Sequence, residues 1–559
     1  MARGPPDDRR PHRAVAEVAA ATGASPAQEA ASYHEVIVVG AGFGGVYAVH
    51  RLLRDGRDVL CLEAAGDVGG VWYHNRYPGA RCDILSIDYS YSFSKELQDE
   101  WDWSERYSPQ EEILRYIQHV ADRFDLRRHM AFNTRVTAMR RDADTGLWTL
   151  GTSTGKTYRA RFVVLATGPL SQPKDPDFPG FSDFRGEVYR TARWPHHPVS
   201  FDGKRVAVIG TGSSGVQSIP EIAKTAGHLT VFQRTPVFAV PARNVRLSPE
   251  DLAAVRARYA EYRSELKSGF AGNYMTTTGK KAADFTEAEQ RRILDALWEE
   301  GGLGIASIFT DVLTDEYANG VVADYVRGRI REQVKDPVLA EKLLPRTYPI
   351  ATKRPCVESG YYAAFNRPNV SLVDVRETPI ERVTAGGIQT SARHHDLDII
   401  VLATGFDALT GALMAIDPVN GEGRHLADEW ADGPKTYLGL AVSGFPNLFM
   451  VAGPGGTSVL GNVVAVAEAG VDWIADCISW LYEHGYDTIE ATPQAQAEWT
   501  DHVAEVGRYT LFPKADSWYM GANVAGKKRM LLAYIGGFCT YVAKCREVAA
   551  QRYRGFVAR

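Results

Sequence analysis

Glycines at positions 40, 42 and 45 in GAGFGG, and again at 210, 212 and 215 in GTGSSG, have the spacing that lets a turn hold a pyrophosphate. In each run the first glycine permits a tight turn and the second lets the main chain approach the phosphates. The third lets the following helix pack closely on its strand. The unpaired N–H groups of the helix N-terminus then face the anion. Glu63 closes the strand after the first run, about 20 residues beyond the central glycine, where an acid accepts hydrogen bonds from a ribose 2′-hydroxyl. The second run lacks that acid, and its next strand ends at Gln233, Arg234 and Thr235. An arginine there suits a 2′-phosphate, so the second unit is expected to take NADP and the first a nucleotide with a free 2′-hydroxyl. Two nucleotides in one chain imply electron transfer between them, and FAD is the natural occupant of the first unit.

The elements that position these turns follow from periodicity. From His34 the chain reads as a buried apolar strand, the glycine run, a helix with apolar residues at helical spacing, and a second strand ending at Glu63. The segment KRVAVIGTGSSGVQSIPEIAKTAGHLTVFQR repeats that order. Two more apolar strands, FVVLATGP and DIIVLATGFD, end in the same triplet at Ala166–Gly168 and Ala403–Gly405. Because the second triplet comes so late, the first domain is expected to be discontinuous, with the second inserted in it. The fold class is therefore α/β, with two Rossmann-like dinucleotide-binding domains plus a helical subdomain. The expected boundaries are a mobile N-terminal tail over 1–32, an FAD domain over 33–168 and 398–559, an NADP domain over 169–243 and 345–397, and the helical subdomain over 244–344. The last is charged and helix-favouring, and it could wall a substrate pocket.

Length and charge narrow the classes. A chain of 559 residues exceeds what one core usually serves. A formal charge of −5 gives no electrostatic case for nucleic acid or an anionic membrane as partner. Six scattered cysteines without a CxxC pair suit a reducing compartment, and structural zinc is not expected. The Arg/Pro-rich and Ala-rich start lacks the apolar run of a secretory signal, and no apolar segment is long enough to span a membrane. Cytoplasm is the expected location. Oligomeric state is open, and a monomer is compatible with everything above.

A flavin reduced by NADPH can pass electrons to a disulfide, to an organic acceptor or to dioxygen. Disulfide reductases carry a redox cysteine pair soon after the first Rossmann unit, whereas GGVWYHNRYPGARCD offers Cys82 alone. The same segment, through Gly69, Gly70, Trp72, Tyr77, Pro78, Gly79 and Asp83, fits GGxWxxxxYPGxxxD. Phe184, Gly186, Trp194 and Pro195 of FRGEVYRTARWP fit most of FxGxxxHxxxWP. Together these patterns resemble the Baeyer–Villiger monooxygenases, which insert one oxygen atom of dioxygen beside a ketone carbonyl to give an ester or lactone. The resemblance runs over nearly the whole chain after the tail and is nearest to the steroid and phenylacetone monooxygenase branch.

That resemblance implies site residues. A peroxide formed on reduced FAD must stay deprotonated to attack a ketone, and an anion in a closed, dry site needs a fixed cation. The matching cation is Arg354, held by Asp83. Lys353 matches a residue near the NADP 2′-phosphate, joining Arg234 and Thr235. Trp518 matches a mobile-loop tryptophan that contacts the nicotinamide nucleotide. Val71, Trp72, Arg81, Cys82, Asp83 and Tyr89 fall at cofactor-binding positions, as do Thr211, Ser213, Ser214 and Gln217 around the second glycine run. GPGGTSVLGN, from Gly453 to Asn462, aligns with pocket-lining positions, and its small residues would leave room for a bulky cyclic, steroid-like, terpenoid or aryl ketone.

The chain departs from the pattern at Arg190, where the family has histidine. Histidine switches protonation near neutral pH and both donates and accepts, whereas arginine stays cationic and only donates. Arg190 could keep a linking role through a carboxylate partner, alter NADPH handling, or mark a relative that releases peroxide. Two other readings of the chain stay open: a flavin monooxygenase acting on sulfur or nitrogen, and a non-catalytic NADPH-binding sensor.

Overall fold

The computed structural model describes residues 31–457, 461–522, 524 and 526–559. Most of the expected tail lies outside them, and Ser32 already belongs to the first strand. Strands β1 (Ser32–Val39), β2 (Val59–Leu62), β3 (Met130–Ala131) and β6 (Thr157–Leu165) form a parallel core in the order β3-β2-β1-β6. Strands β4 (Val136–Arg141) and β5 (Trp148–Thr152) extend it antiparallel from β6. The strand Leu448–Met450 adds to β6 in parallel, so the far end of the chain contributes to the first sheet. Val36 to Val39 are buried without alternation, as a strand covered on both faces requires. The helix Phe43–Arg54 buries Val46, Val49 and Leu52 along one stripe. It packs on the long helix Val463–His484, where the Tyr47 hydroxyl donates to Asp472 at 2.6 Å.

The second sheet is wholly parallel. Its order is Val370–Asp374, β9 (His228–Gln233), β8 (Arg205–Ile209), Ile399–Leu402, β7 (Glu187–Arg190). This corrects the boundary expected between residues 397 and 398. The run Ile399–Leu402 is buried on both faces and pairs with β8 and β7, so the second unit extends at least through Leu402. The chain leaves it only after the second ATG triplet.

Within the second unit, between β9 and the strand Val370–Asp374, the chain inserts helices Pro249–Arg256, Tyr259–Ser268, Glu287–Glu300, Glu316–Gln333 and Pro337–Leu343. Ser248 with Asp251 and Thr286 with Glu289 form capping boxes that start two of them. Their charged faces are solvated, yet Leu294, Trp298, Val322 and Val326 join the core of the second unit. Arg263, by contrast, reaches the first unit and donates to Ser90 Oγ at 2.7 Å. The helical segment therefore touches both.

Candidate functional site

The two glycine turns repeat each other closely. Gly40 has φ 101° and a Cβ there would lie 2.7 Å from Ala166 O; Gly210 has φ 107° and its Cβ would lie 2.4 Å from Ala403 O. Each ATG triplet thus packs under the turn of its own sheet. A Cβ on Gly45 would lie 1.7 Å from Gly40 O, and one on Gly215 2.2 Å from Gly210 O, so helix and strand touch backbone to backbone. The central glycines differ: nothing lies within 4 Å of a Cβ on Gly212, and Gly42 meets Gly70 only at an ordinary 3.6 Å. The chain leaves those two positions bare. Both are helix N-caps without a side-chain cap, so the first N–H groups have no side-chain acceptor. This is the surface a dinucleotide phosphate fits.

Glu63 is buried, and its two oxygens accept from Ala41 N at 2.5 Å and Ala65 N at 2.6 Å. A carboxylate has acceptor sites beyond these two for ribose hydroxyls. In the second unit, Thr211 Oγ1 donates to Thr235 O at 3.1 Å, tying the glycine turn to the strand end that carries Arg234. Lys353 is pushed down to about 8 by burial and by the Arg234 charge, and its Nζ lies 4.4 Å from the centroid of the Tyr348 ring. Burial and Arg234 also lower Lys174, whose main chain is held by Gly405 O at 3.0 Å and Thr404 Oγ1 at 2.7 Å. Like charges gathered this way suit a phosphate. Lys174 was missed by sequence reasoning, because its side-chain type carries no signal without the fold that returns residues 404–405 beside it. Ser213 and Ser214 open the helix, and Ser213 Oγ lies 3.6 Å from Cys356 Sγ.

Asp83 and Arg354 meet in a two-pronged ion pair, with Nε to Oδ2 at 2.6 Å and Nη2 to Oδ1 at 3.0 Å. The YPGARCD segment is braced to present the acid. Arg81 Nη1 donates to Tyr107 O at 2.7 Å and to Glu105 Oε2 at 2.8 Å, and Cys82 N donates to Ser108 O at 3.1 Å. Arg354 is delivered by a turn that includes Ala351 at φ 67°, a backbone region sparsely used by residues with a Cβ. Burial weakens the hold of Arg354 on its proton, but Asp83 more than offsets this and the guanidinium stays charged. Arg354 and Asp83 stay partly accessible, with side-chain exposures of 23% and 25%. Arg354 lines a mainly apolar cavity of about 110 Å³, together with Met275, Leu303, Leu313, Phe512 and Tyr519. A larger, more polar cleft of about 560 Å³ lies at the linker, but neither Arg354 nor the glycine turns line it.

Other expected residues fall around this pair. Trp72 Nε1 donates to the Tyr89 hydroxyl at 3.1 Å, and Val71 starts the short helix beneath. Burial pushes the Cys82 thiol and the Tyr89 hydroxyl up, so neither ionises near neutrality. Gln217 is engaged at both ends of its amide: it donates to Arg81 O at 3.0 Å and accepts from the Tyr77 hydroxyl at 2.8 Å. In the structure it joins the two units. Trp518 is partly buried and lies against Tyr519, with centroids 4.0 Å apart and ring planes tilted by 32°. Tyr519 is the residue that reaches the cavity, pushed up to about 12 by burial against the opposing pull of Arg354. The sequence drew notice to the tryptophan and passed over its neighbour. Of GPGGTSVLGN, Thr457 and Gly461 line the cavity, and Ser458, Val459 and Leu460 lie outside the described residues.

The linker carries Arg190 at the end of β7, where Nε donates to Asp175 Oδ1 at 2.6 Å. Trp194 is buried and its main-chain N–H donates to His74 O at 3.1 Å, anchoring the linker to the first unit.

Two glycine turns built for dinucleotides and a charge-fixed arginine on an apolar cavity define a two-nucleotide oxidoreductase. A flavin-binding monooxygenase-like family pattern matches residues 33–268. The chain is 40% identical to a Baeyer–Villiger monooxygenase of Pseudooceanicola batsensis, over 94% of this chain and 96% of that one. It is 39% identical to phenazine N-monooxygenase PhzNO1 of Lysobacter antibioticus, over 94% and 97%. The solved structure of an oxidised steroid monooxygenase bound to NADP superimposes with a TM-score of 0.90 at 48% identity, covering 94% of this chain and 99% of that one. The chain belongs to the Baeyer–Villiger group of flavin-binding monooxygenases.

Proposed function

We propose that this chain converts ketones to esters or lactones, using FAD, NADPH and dioxygen. One oxygen atom enters the C–C bond beside the carbonyl, the other leaves as water, and NADPH supplies the two electrons. The observation that carries this reading is the Asp83–Arg354 pair at the edge of an apolar cavity. FAD, when bound, accepts hydride from NADPH and activates dioxygen.

The first unit takes FAD, with the turn at Gly40, Gly42 and Gly45 on the pyrophosphate and Glu63 on the ribose. The second takes NADPH, with Gly210, Gly212 and Gly215 on the pyrophosphate and Arg234, Thr235 and Lys353 on the 2′-phosphate. Arg354 holds the negative charge that develops on the ketone oxygen when its carbonyl carbon is attacked. In a site shielded from water such a fixed cation acts strongly and needs no reorganisation. Asp83 keeps the guanidinium in one orientation, since the two-pronged geometry resists rotation. The apolar walls suit the hydrocarbon frame of a ketone. Free cysteines at all six positions agree with a cytoplasmic enzyme, and among the described residues no helix is long and apolar enough to cross a membrane.

A second reading, oxidation of a ring nitrogen, is favoured by the N-monooxygenase relative. A panel of ketones, thioethers and N-heterocycles separates the two when NADPH and oxygen consumption are followed with the products. Esters or lactones support the proposal. Exclusive N-oxide or sulfoxide formation overturns it.

A further inference from the structure

The cavity that holds Arg354 is bounded by two aromatic rings, each lying on a glycine of the other's segment. Phe270 follows the helix Tyr259–Ser268, and Phe538 opens the helix Phe538–Ala550. A Cβ on Gly537 would lie 2.7 Å from Cδ2 of Phe270, and one on Gly272 would lie 3.1 Å from Cδ1 of Phe538. Each ring rests where the absence of a side chain leaves room. Main-chain bonds pin the segments: Phe538 N donates to Phe270 O at 2.6 Å, and Asn462 N to Ala271 O at 2.8 Å.

The two rings differ in exposure. Phe538 is 3% exposed and is core, whereas Phe270 is 56% exposed and Tyr274 nearby is 53% exposed. Phe270 lines the cavity and also faces solvent, which is the position of an entrance residue. Its backbone is fixed and its side chain has only two rotatable bonds, so the ring itself limits the opening.

We propose that Phe270 is a specificity-determining residue: seated on Gly537, it sets the width of the entrance to the Arg354 cavity and limits the hydrocarbon frame a ketone can carry. The proposal rests on the ketone reading above. Small single-ring ketones pass the ring freely, and multi-ring ketones are slowed by it. A hydrophobic wall discriminates between substrates in this way by roughly 10-fold to 200-fold, the range for small changes in pocket size.

The test is a graded series, Phe270→Ala, Phe270→Leu and Phe270→Trp, assayed with a four-ring steroid ketone and cyclohexanone. The ratio of kcat/KM, steroid over cyclohexanone, is expected to rise about tenfold in Phe270→Ala. It should rise less in Phe270→Leu and fall in Phe270→Trp, with NADPH affinity unchanged. Association rates of both ketones with the oxidised holoenzyme, measured by stopped-flow flavin absorbance, follow the same order and do not depend on ester formation. If binding selectivity follows side-chain size while no ester forms, the entrance stands and the proposed reaction fails. A ratio constant within about twofold across the series, in both binding and turnover, overturns the entrance.

Discussion

Arg354 and Asp83 lie 271 positions apart in sequence, yet they make two parallel hydrogen bonds across the junction of the units. Such a pair fixes a charge and its direction together, which neither residue could do alone.

Arg354→Ala is expected to lower kcat for ester formation by about 10²-fold to 10³-fold, the cost of losing one charge-stabilising donor. Arg354→Lys should recover little, because an ammonium cannot reproduce the two-pronged contact. Asp83→Asn, which keeps the shape, should lose less than Arg354→Ala. The rate of ester formation at saturating ketone and NADPH is the measurement.

Lys353 gives a pH dependence. Burial and Arg234 favour its neutral amine, so it loses its proton as pH rises through about 8. A 2′-phosphate contact needs the ammonium, so NADPH affinity should weaken by about fivefold between pH 8 and pH 9. NADH, lacking the phosphate, should show no such step, and Lys353→Met should remove it. Fluorescence titration at several pH values reads all three.

Two glycines of one motif should fail differently. Gly215→Ala places a methyl against Gly210 O and should destabilise the protein by about 3 kcal/mol or more. Gly212→Ala meets no atom of the chain within 4 Å, so melting should stay near wild type while NADPH binding weakens by about tenfold. Thermal denaturation and NADPH titration of both variants separate folding from binding.

Arg190 pairs with Asp175 at side-chain exposures of 34% and 61%. A pair so open contributes at most about 1 kcal/mol. Arg190→His is expected to leave ketone oxidation broadly intact and to change the KM for NADPH by no more than a few fold, and Asp175→Asn should match it. Steady-state kinetics with NADPH varied provides the check. An inactive wild type rescued by Arg190→His would overturn the reading of Arg190 as a working substitute.

The glycine turns were legible in the sequence because their spacing is dictated by local backbone geometry. Arg354 and Asp83 were not legible in that sense: nothing local links them, and the family resemblance brought them together. Tyr519 and Lys174 escaped notice because proximity to the cavity and to Arg234 exists only after folding. The misplaced boundary near residue 398 has a similar origin. IIVL and FVVL are equivalent as apolar runs, and sequence alone does not say which sheet admits each.

The position of Ile399–Leu402 between β7 and β8 also governs the order in which the protein can assemble. It is the one sheet neighbour of β7 among the described residues, and Leu402 stands beside Arg190 in register. During synthesis the linker strand therefore leaves the ribosome long before its partner exists, and stays unpaired until the helical segment has been made. The joint between the nucleotide units is closed late, by insertion of a strand into its middle. A fragment ending before residue 399 should leave that joint open, however complete its glycine turns.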